Sequence, residues 1–203
     1  MPTEFRRSPI ALAILGLLEA GPSHPYAIQQ LIKQWGKDQV VNVGQRATLY
    51  KVITRLQEAG MIAVRETDRD HRYPERTTYE VTGAGSAAAR QWLTEILSTP
   101  RNEFPEFPAA LSFLALITPE DTLELLDDRR EKLVRRIAEL DATLAEEFGN
   151  RELPRVSKLE TEYVKAVTEA ELRWTTAVLD DLRDGSLSWD RAQLDAIAAQ
   201  AAS

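Results

Sequence analysis

The sequence predicts a mainly α-helical protein with one small β-hairpin and two domains joined by a short linker. Three observations predict this fold class. The first 60 residues contain three short segments whose apolar residues recur at spacings of three and four, as on one face of a helix. Two short segments of alternating polarity then flank a polar turn, and two long helix patterns follow in the second half. The proline-rich segment 100–108 separates the predicted domains, residues 1–99 and 109–203.

Composition and charge restrict the classes of protein to be considered. The chain has 203 residues and no cysteine, which excludes disulfides, zinc sites with thiolate ligands and a cysteine nucleophile. The formal net charge of −7 is uneven, because residues 1–99 hold 12 Lys and Arg against 10 Asp and Glu, and residues 100–203 hold 13 against 22. The first domain can therefore approach an anionic partner. The apolar run Ile10 to Leu18 is too short to span a bilayer and no cleavage site follows it, so we expect a cytoplasmic protein without membrane contact.

A capping residue predicts the first helix, and the spacing of apolar residues predicts the second. Ser8 can cap the first helix and Pro9 suits its first position, while the apolar run that follows is typical of a core helix. The second helix is expected from Pro25 to about Trp35. Helical spacing predicts that its apolar residues share one face, and these are Tyr26, Ile28, Leu31, Ile32 and Trp35.

The third helix, Gly44 to Gly60, has the pattern of a helix that touches an anionic partner. Its predicted buried stripe consists of Leu49, Val52, Ile53, Leu56 and Ala59. The opposite face carries amide, hydroxyl and basic side chains that suit phosphate oxygens and base edges. These candidate DNA-binding residues are Gln45, Arg46, Thr48, Tyr50, Lys51, Thr54 and Arg55. An ordinary solvated helix face explains the segment equally well in isolation, so the neighbouring elements decide.

A two-stranded hairpin is predicted directly after the third helix. Residues 61–66 and 77–82 alternate like half-buried strands, with the polar turn Thr67 to Arg76 between them. Three helices and a basic hairpin are typical of a winged helix-turn-helix domain, whose third helix enters the major groove of double-stranded DNA. The wing of such a domain lies along the backbone or in the minor groove. The hairpin adds three candidate DNA-binding residues, unless nearby acids leave them merely solvated: Arg69, Arg72 and Arg76.

The quoted segments together resemble the winged-helix domain of PadR-type transcriptional regulators over about residues 9–98. The residues that carry the resemblance read LAILGLLEAGPSHPYAIQQLI, GQRATLYKVITRLQEAGMI and RTTYEVTGAG. The acidic second half is similar to the longer subfamily, which carries a C-terminal helical dimerisation domain. The resemblance implies a bacterial homodimer that binds a pseudo-palindromic operator, usually as a repressor, and is released by a small aromatic or drug-like effector. It also places the DNA-contacting helix on Gln45 to Leu56 and the basic wing on Arg69 to Arg76.

Two features depart from the pattern of that family. His24-Pro25-Tyr26 stands where the family commonly has His-Gly-Tyr, and the proline should stiffen the start of the second helix. The positive charge of the wing is also partly offset by Asp68, Asp70 and Glu75, which lowers the expected nonspecific affinity for DNA.

The second half predicts a pair of long helices after a short apolar helix at 109–117. The first begins at Thr118-Pro119 and continues to Phe148, and the second runs from Leu159 to Leu182. Two helices with narrow apolar seams cannot bury both faces alone, so we expect them to pair with the same arm of another subunit. Packing within one chain is the alternative. A final alanine-rich helix is expected after Ser188.

No catalytic or metal site is predicted, and we expect neither enzymatic activity nor a cofactor. Gly83 to Ala88 fits the GxGxxA form of a dinucleotide-binding fingerprint, but the strand before it alternates in polarity, unlike a strand of a parallel sheet. We therefore interpret Gly83 and Gly85 as residues that shape the junction between hairpin and helix. The two histidines, His24 and His71, lack a third ligand at metal spacing, and His24 is expected to cap or pack.

Two interpretations stay open. Trp92 is a candidate effector-binding residue, because aromatic residues near the dimer seam line the effector pocket in related regulators, although packing in a core or interface explains it better. The alternative function is a helical dimeric protein-interaction module that uses the winged helix without binding DNA. The acidity of the chain supports that alternative, and the basic face with Arg46, Lys51 and Arg55 opposes it.

Overall fold

The computed structural model of the chain describes residues 5–68, 76–149 and 154–190. The chain divides into two compact units, Met1–Asn102 and Glu103–Ser203. The division lies inside the linker that the prolines predict, residues 100–108.

The first unit is a bundle of short helices with one hairpin. Its α1 forms because Ser8 Oγ accepts a hydrogen bond from the backbone N–H of Ala11 (3.2 Å) and Pro9 occupies the first turn, as the sequence predicts. The apolar core surrounds α1, which packs against α2, α3, α4 and β2. The elements described in this unit are α1 (Pro9–Glu19), α2 (Pro25–Gln34), a 3-10 turn (Lys37–Gln39), α3 (Arg46–Glu58), β1 (Ile62–Asp68), β2 (Arg76–Val81) and α4 (Gly83–Ser98).

The strands β1 and β2 form an antiparallel hairpin whose register follows the predicted pattern. Ile62 pairs with Val81 and Val64 pairs with Tyr79, so the apolar residues of both strands share a face. The register shifts between Val64 and Glu66, which marks a β-bulge near the base of the wing. Two backbone hydrogen bonds of 2.9 Å, exchanged by Ser23 and Tyr79, also tie the hairpin to the segment before α2.

Of the two glycines after the hairpin, Gly85 shapes the junction with α4 as predicted, whereas a Cβ on Gly83 would meet nothing nearby. Thr82 caps α4 through the bond that Gly85 N–H donates to its Oγ1 (3.1 Å), and the Thr82 hydroxyl lies 2.7 Å from the carbonyl oxygen of Gly60. A Cβ on Gly85 would lie 2.0 Å from the carbonyl oxygen of Met61. Close packing of α4 on the start of β1 therefore explains Gly85 without a bound phosphate.

Replacing Gly85 with alanine is expected to destabilise the first unit by about 1–3 kcal/mol, because a backbone carbonyl must move to admit the methyl group. Gly83→Ala is the matched control, since a Cβ at Gly83 meets nothing within 4 Å and alanine is the better helix former. Urea denaturation measures the free energy of unfolding of both variants, and hydrogen exchange of the α1 and α3 amides shows whether the first unit is the part that is destabilised. Equal stability of the two variants would contradict this account of the junction.

The second unit is built on two long antiparallel helices. The described elements are α5 (Glu106–Leu111), a 3-10 turn (Leu114–Leu116), α6 (Pro119–Gly149), a 3-10 turn (Arg155–Ser157) and α7 (Leu159–Asp184). Asp127 near the start of α6 pairs with Arg183 at the end of α7 (2.9 Å), and Asp141 further along α6 pairs with Lys165 nearer the start of α7 (2.5 Å). The single short helix predicted at 109–117 is wrong in its bounds, because α5 starts earlier and ends before the 3-10 turn.

The face that α7 buries within the chain is not its apolar seam, which the sequence predicts to pair with another subunit. The buried residues of α7 are Thr161, Thr168, Thr175 and Leu179. Thr168 satisfies its hydroxyl by donating to Val164 O one turn back (2.7 Å), whereas the hydroxyl of fully buried Thr175 has no hydrogen-bond partner in the described part of the chain. The apolar residues expected to form the seam stay largely exposed, and we name Leu159, Tyr163, Val167 and Trp174 the α7 apolar stripe. In the described part of the chain, no helix is both long enough and apolar enough to cross a membrane.

Candidate nucleic-acid interface

Helix α3 turns one apolar face inward and one polar face outward. Four of the five predicted apolar residues are buried: Leu49, Val52, Ile53 and Leu56. Ala59 is the exception, since it caps the C-terminus and is exposed, and Gly60 ends the helix with a φ of 68° that favours glycine. With four side chains fixed in the core, the opposite side of α3 must face solvent.

Every candidate residue predicted on that side of α3 is exposed. We call this surface the polar face of α3, and it comprises Gln45, Arg46, Thr48, Tyr50, Lys51, Thr54 and Arg55. Its chemistry is two guanidinium groups, one ammonium, one amide and three hydroxyls, which suit phosphate oxygens and base edges. Thr54 is the least suited to an anion, because its hydroxyl already donates to Tyr50 O (3.2 Å).

Contacts with α2 and the core fix the position of the loop that precedes α3. Gln29 is buried in α2 and donates from Nε2 to the carbonyl oxygen of Val43 (2.9 Å). The side chains of Val41 and Val43 are buried in the same core. These contacts set where α3 begins, and therefore where Gln45 and Arg46 stand.

The structure places Tyr26 beside this surface, where the sequence predicted a core residue. Tyr26 is 50% exposed, and the guanidinium of Arg46 lies 5.6 Å from the centre of its ring. The ring also stacks on that of His24 at 6.3 Å. His24 caps α2, because its Nδ1 accepts a hydrogen bond from Ala27 N–H (3.0 Å), which confirms the capping role expected for it.

A second aromatic residue that the sequence analysis missed lies at the other end of α3. The guanidinium of Arg55 lies 5.0 Å from the ring centre of Phe5, and the other partner of Phe5 is Trp92, with ring centres 5.7 Å apart. Arg7 Nη1 pairs with Glu95 Oε2 at 2.5 Å, which fixes this N-terminal segment against α4. No pattern in the sequence predicts these contacts, because they join three segments that are distant along the chain.

The wing is described only at its base. The predicted Arg69 and Arg72 lie outside the described residues, and of Arg76 the structure gives the backbone position in β2, opposite Asp68. In the described strands, exposed Arg65 pairs with Glu80 across the hairpin (3.2 Å). Burial raises the pKa of Tyr79 above its ordinary value, and the neighbouring Tyr50 adds to the shift, so Tyr79 stays neutral at physiological pH.

Trp92 lies in the first unit, whereas an open groove of the described chain is lined by residues of the second unit. Trp92 is 8% exposed and belongs to the core of the first unit, so a ligand there would have to displace Phe5. The second unit contains an open apolar groove of about 510 Å³ beside α5 and α6. Its lining, which we call the α6 groove, includes Phe107, Phe113, Leu116, Leu125, Arg129 and Lys132. Within it the guanidinium of Arg129 covers the ring of Phe107, 3.4 Å from its centre.

Comparison with solved structures shows the same fold in bacterial regulators. Bacillus subtilis PadR in complex with operator DNA is similar at a TM-score of 0.69 and 19% identity, covering 86% of this chain and 99% of that one. B. subtilis PadR in complex with p-coumaric acid matches at 0.69 and 18%, with coverages of 86% and 98%. The Vibrio cholerae virulence activator AphA matches at 0.63 and 18%, with coverages of 86% and 98%. No curated protein matches the chain by sequence.

The family comparison identifies the first unit. The profile of the transcriptional regulator PadR-like family matches residues 14–91, which span α1 from Ile14 through α3 and the hairpin into α4. That family is one of transcriptional regulators and not of enzymes, as the sequence analysis predicted. The polar face of α3 lies entirely within the matched residues. Residues 14–91 of this chain therefore match the PadR-like family profile, and the chain shares its fold with the solved B. subtilis PadR.

Proposed function

We propose that the protein is a homodimeric, sequence-specific DNA-binding regulator that reads its operator with the polar face of α3. The observation that carries this proposal is the exposure of all seven candidate side chains on one side of a helix whose other side is buried. A relative of the same fold, B. subtilis PadR, has been solved in complex with operator DNA, which supports the assignment.

The side chains of α3 divide into two roles by chemistry and position. Gln45, Arg46 and Thr48 stand at the first turn, the part of a recognition helix that reaches base edges in the major groove. Tyr50, Lys51 and Arg55 lie further along and suit phosphate oxygens, together with the wing arginines. In a dimer the two α3 helices would enter successive major grooves about 34 Å apart.

The α7 apolar stripe supports a homodimer. Its residues recur at spacings of four, four and seven, so they form one line along the helix. They are turned away from the threonine face that α7 buries and stay exposed, although Trp174 also meets the ring of Phe107 edge-on, with 5.8 Å between the ring centres. A second copy that presents the same stripe would cover both stripes through a two-fold interface.

Arg46→Ala is expected to weaken operator binding by about 1–3 kcal/mol and to relax the sequence preference, because a bidentate contact to a base edge is lost. Lys51→Ala should weaken binding to all sequences similarly and reduce the slope of log Kd against log salt by about one, as should Arg72→Ala in the wing. The measurement is a binding titration at several salt concentrations with the DNA upstream of the protein's own gene and an unrelated fragment.

Lys33→Ala is the matched control for charge, since Lys33 is an exposed cation in the last turn of α2 and is not a member of the polar face of α3. It should leave both affinity and salt slope within about twofold of the wild-type values. Equal losses for the Arg46 and Lys51 variants would refute the division of roles. Wild-type protein that holds neither fragment at low salt would favour the alternative, a protein-interaction module without DNA binding.

Tyr163→Lys is expected to turn a dimer into a monomer at micromolar concentration, because it places a charge in the α7 apolar stripe where Tyr163 is 70% exposed. Asp180→Lys is the matched control, since it puts the same side chain on an exposed position of α7 outside the stripe. Sedimentation velocity measures the mass, and circular dichroism checks that both variants stay helical. A wild-type protein that sediments as a monomer would contradict the homodimer.

The regulator is further proposed to act in a bacterial cytoplasm as a repressor that a small aromatic effector releases. An effector could bind more tightly to a dimer whose two DNA-binding domains are differently spaced. It would then raise the population of that conformation and so weaken DNA binding. The α6 groove suits such a molecule, since it is apolar, open and of drug-sized volume, and its lining includes the exposed ion pair of Lys132 with Asp128 (3.6 Å). B. subtilis PadR in complex with p-coumaric acid makes that compound the first probe.

Leu125→Trp is expected to block release of DNA by the effector, because the larger side chain fills the α6 groove from an exposed position. Trp92→Phe, which keeps an aromatic ring against Phe5, should leave the response unchanged. Titration of the protein–DNA complex with p-coumaric acid and related aromatic acids measures the release. The reverse pattern, loss of response in the Trp92 variant only, would place the effector at Trp92 instead.

A further inference from the structure

The two arginines of the polar face of α3 share a feature that helix periodicity alone does not produce. Each guanidinium lies against an aromatic ring supplied by another segment of the chain. Arg46 lies 5.6 Å from the ring centre of Tyr26 in α2, and Arg55 lies 5.0 Å from that of Phe5, ahead of α1. Both distances fall within the range over which a cation is attracted to the face of a ring.

Each of these rings is itself fixed. Tyr26 stacks on His24 with an angle of 14° between the rings, and His24 is held by its bond to Ala27 N–H. Phe5 stacks on buried Trp92 with an angle of 16°. Each ring therefore has a second aromatic partner within the folded domain and can restrict the arginine side chain that lies over it.

Restricting an arginine matters because its free side chain occupies many rotamers. Ordering such a side chain on binding costs about 0.5–1.5 kcal/mol, and a surface that orders it beforehand reduces that loss. A ring contacts the flat face of the guanidinium, while the N–H groups that bind a base or phosphate point outward from its edge. A stacked arginine is thus restricted in direction without losing its donors.

We propose that Tyr26 and Phe5 are positioning residues that hold Arg46 and Arg55 in the orientation used to bind DNA. The inference rests on the proposed DNA-binding function and deepens it, since it assigns part of the affinity to residues that need not touch DNA. Tyr26 acts at the end of α3 that reads bases, so its effect falls on affinity and sequence preference together. Phe5 acts at the far end, where Arg55 meets phosphate.

A double-mutant cycle tests the proposal on a duplex that wild-type protein enriches from a random pool. Tyr26→Leu, which keeps apolar bulk without a π-face, should weaken binding about two- to fivefold in the wild-type background. In the Arg46→Ala background the same change should have no effect, because the side chain that it positions is gone. Tyr26→Phe should restore wild-type binding, and the salt slope should not change, since no charge is removed.

Phe5→Leu and Arg55→Ala form the second cycle, with the same expected pattern. Equal losses from Tyr26→Leu with and without Arg46, or a loss from Tyr26→Phe as large as that from Tyr26→Leu, would overturn the positioning role and indicate a direct contact of the tyrosine with DNA. Urea denaturation of each variant checks that the domain is folded.

A measurement without DNA separates this inference from the proposed function. In the free protein, the ring current of Tyr26 should shift the δ-proton NMR signals of Arg46, and Tyr26→Leu should move them to ordinary values while Tyr26→Phe leaves them unchanged. Arg46 signals that do not respond to Tyr26→Leu would overturn the proposal even if DNA binding is intact. A wild-type protein that enriches no duplex, but shows the ring-current shift, would instead overturn the function assigned to the arrangement.

Discussion

Burial of one side of α3 is the constraint on which the rest of the arrangement depends. Leu49, Ile53 and Leu56 are almost inaccessible to solvent and pack in the core around α1. A helix with 3.6 residues per turn cannot rotate about its axis without exposing these side chains, which would forfeit about 1.5–3 kcal/mol for each. The outward direction of the polar face, the start of the hairpin at Ile62 and the cap of α4 all follow from that fixed rotation.

Local patterns predicted most of the first unit because α3 and the hairpin strands each bury a single face, while the central helix α1 is apolar along most of its length. The spacing of apolar residues predicted the core side of α3, and alternation predicted the two strands, while the pairing of Val64 with Tyr79 came from the structure. Tyr26 was misplaced because spacing says nothing about position along a helix. Side chains point toward the helix N-terminus, so a residue in the first turn of α2 projects beyond the core and over the start of α3. Phe5 could not be predicted at all, since its partners Arg55 and Trp92 are distant in sequence.

The second unit shows a different reason why sequence patterns fail. Two stripes run along α7, one apolar and one of threonines spaced seven residues apart, and hydrophobicity alone selects the apolar one for the interior. The chain buries the threonine stripe instead, whose side chains are small; Thr168 donates within its own helix, but the buried hydroxyl of Thr175 has no hydrogen-bond partner in the described residues. A single sequence gives no means to tell which stripe faces the neighbouring helix of the same chain and which is left for another molecule.

The paired hydrogen bonds between Ser23 and Tyr79 restrict how this domain can vary. Ser23 directly precedes His24, so one short turn both holds the hairpin and supplies the cap of α2. Inserting or deleting a residue between Ala20 and His24 would disrupt the pairing of Ser23 with Tyr79. The same change would displace the cap of α2. Loops usually tolerate changes of length, but this one behaves as a third strand one residue long. Homologous domains that keep the bridge should therefore conserve the length of this turn more strictly than its sequence.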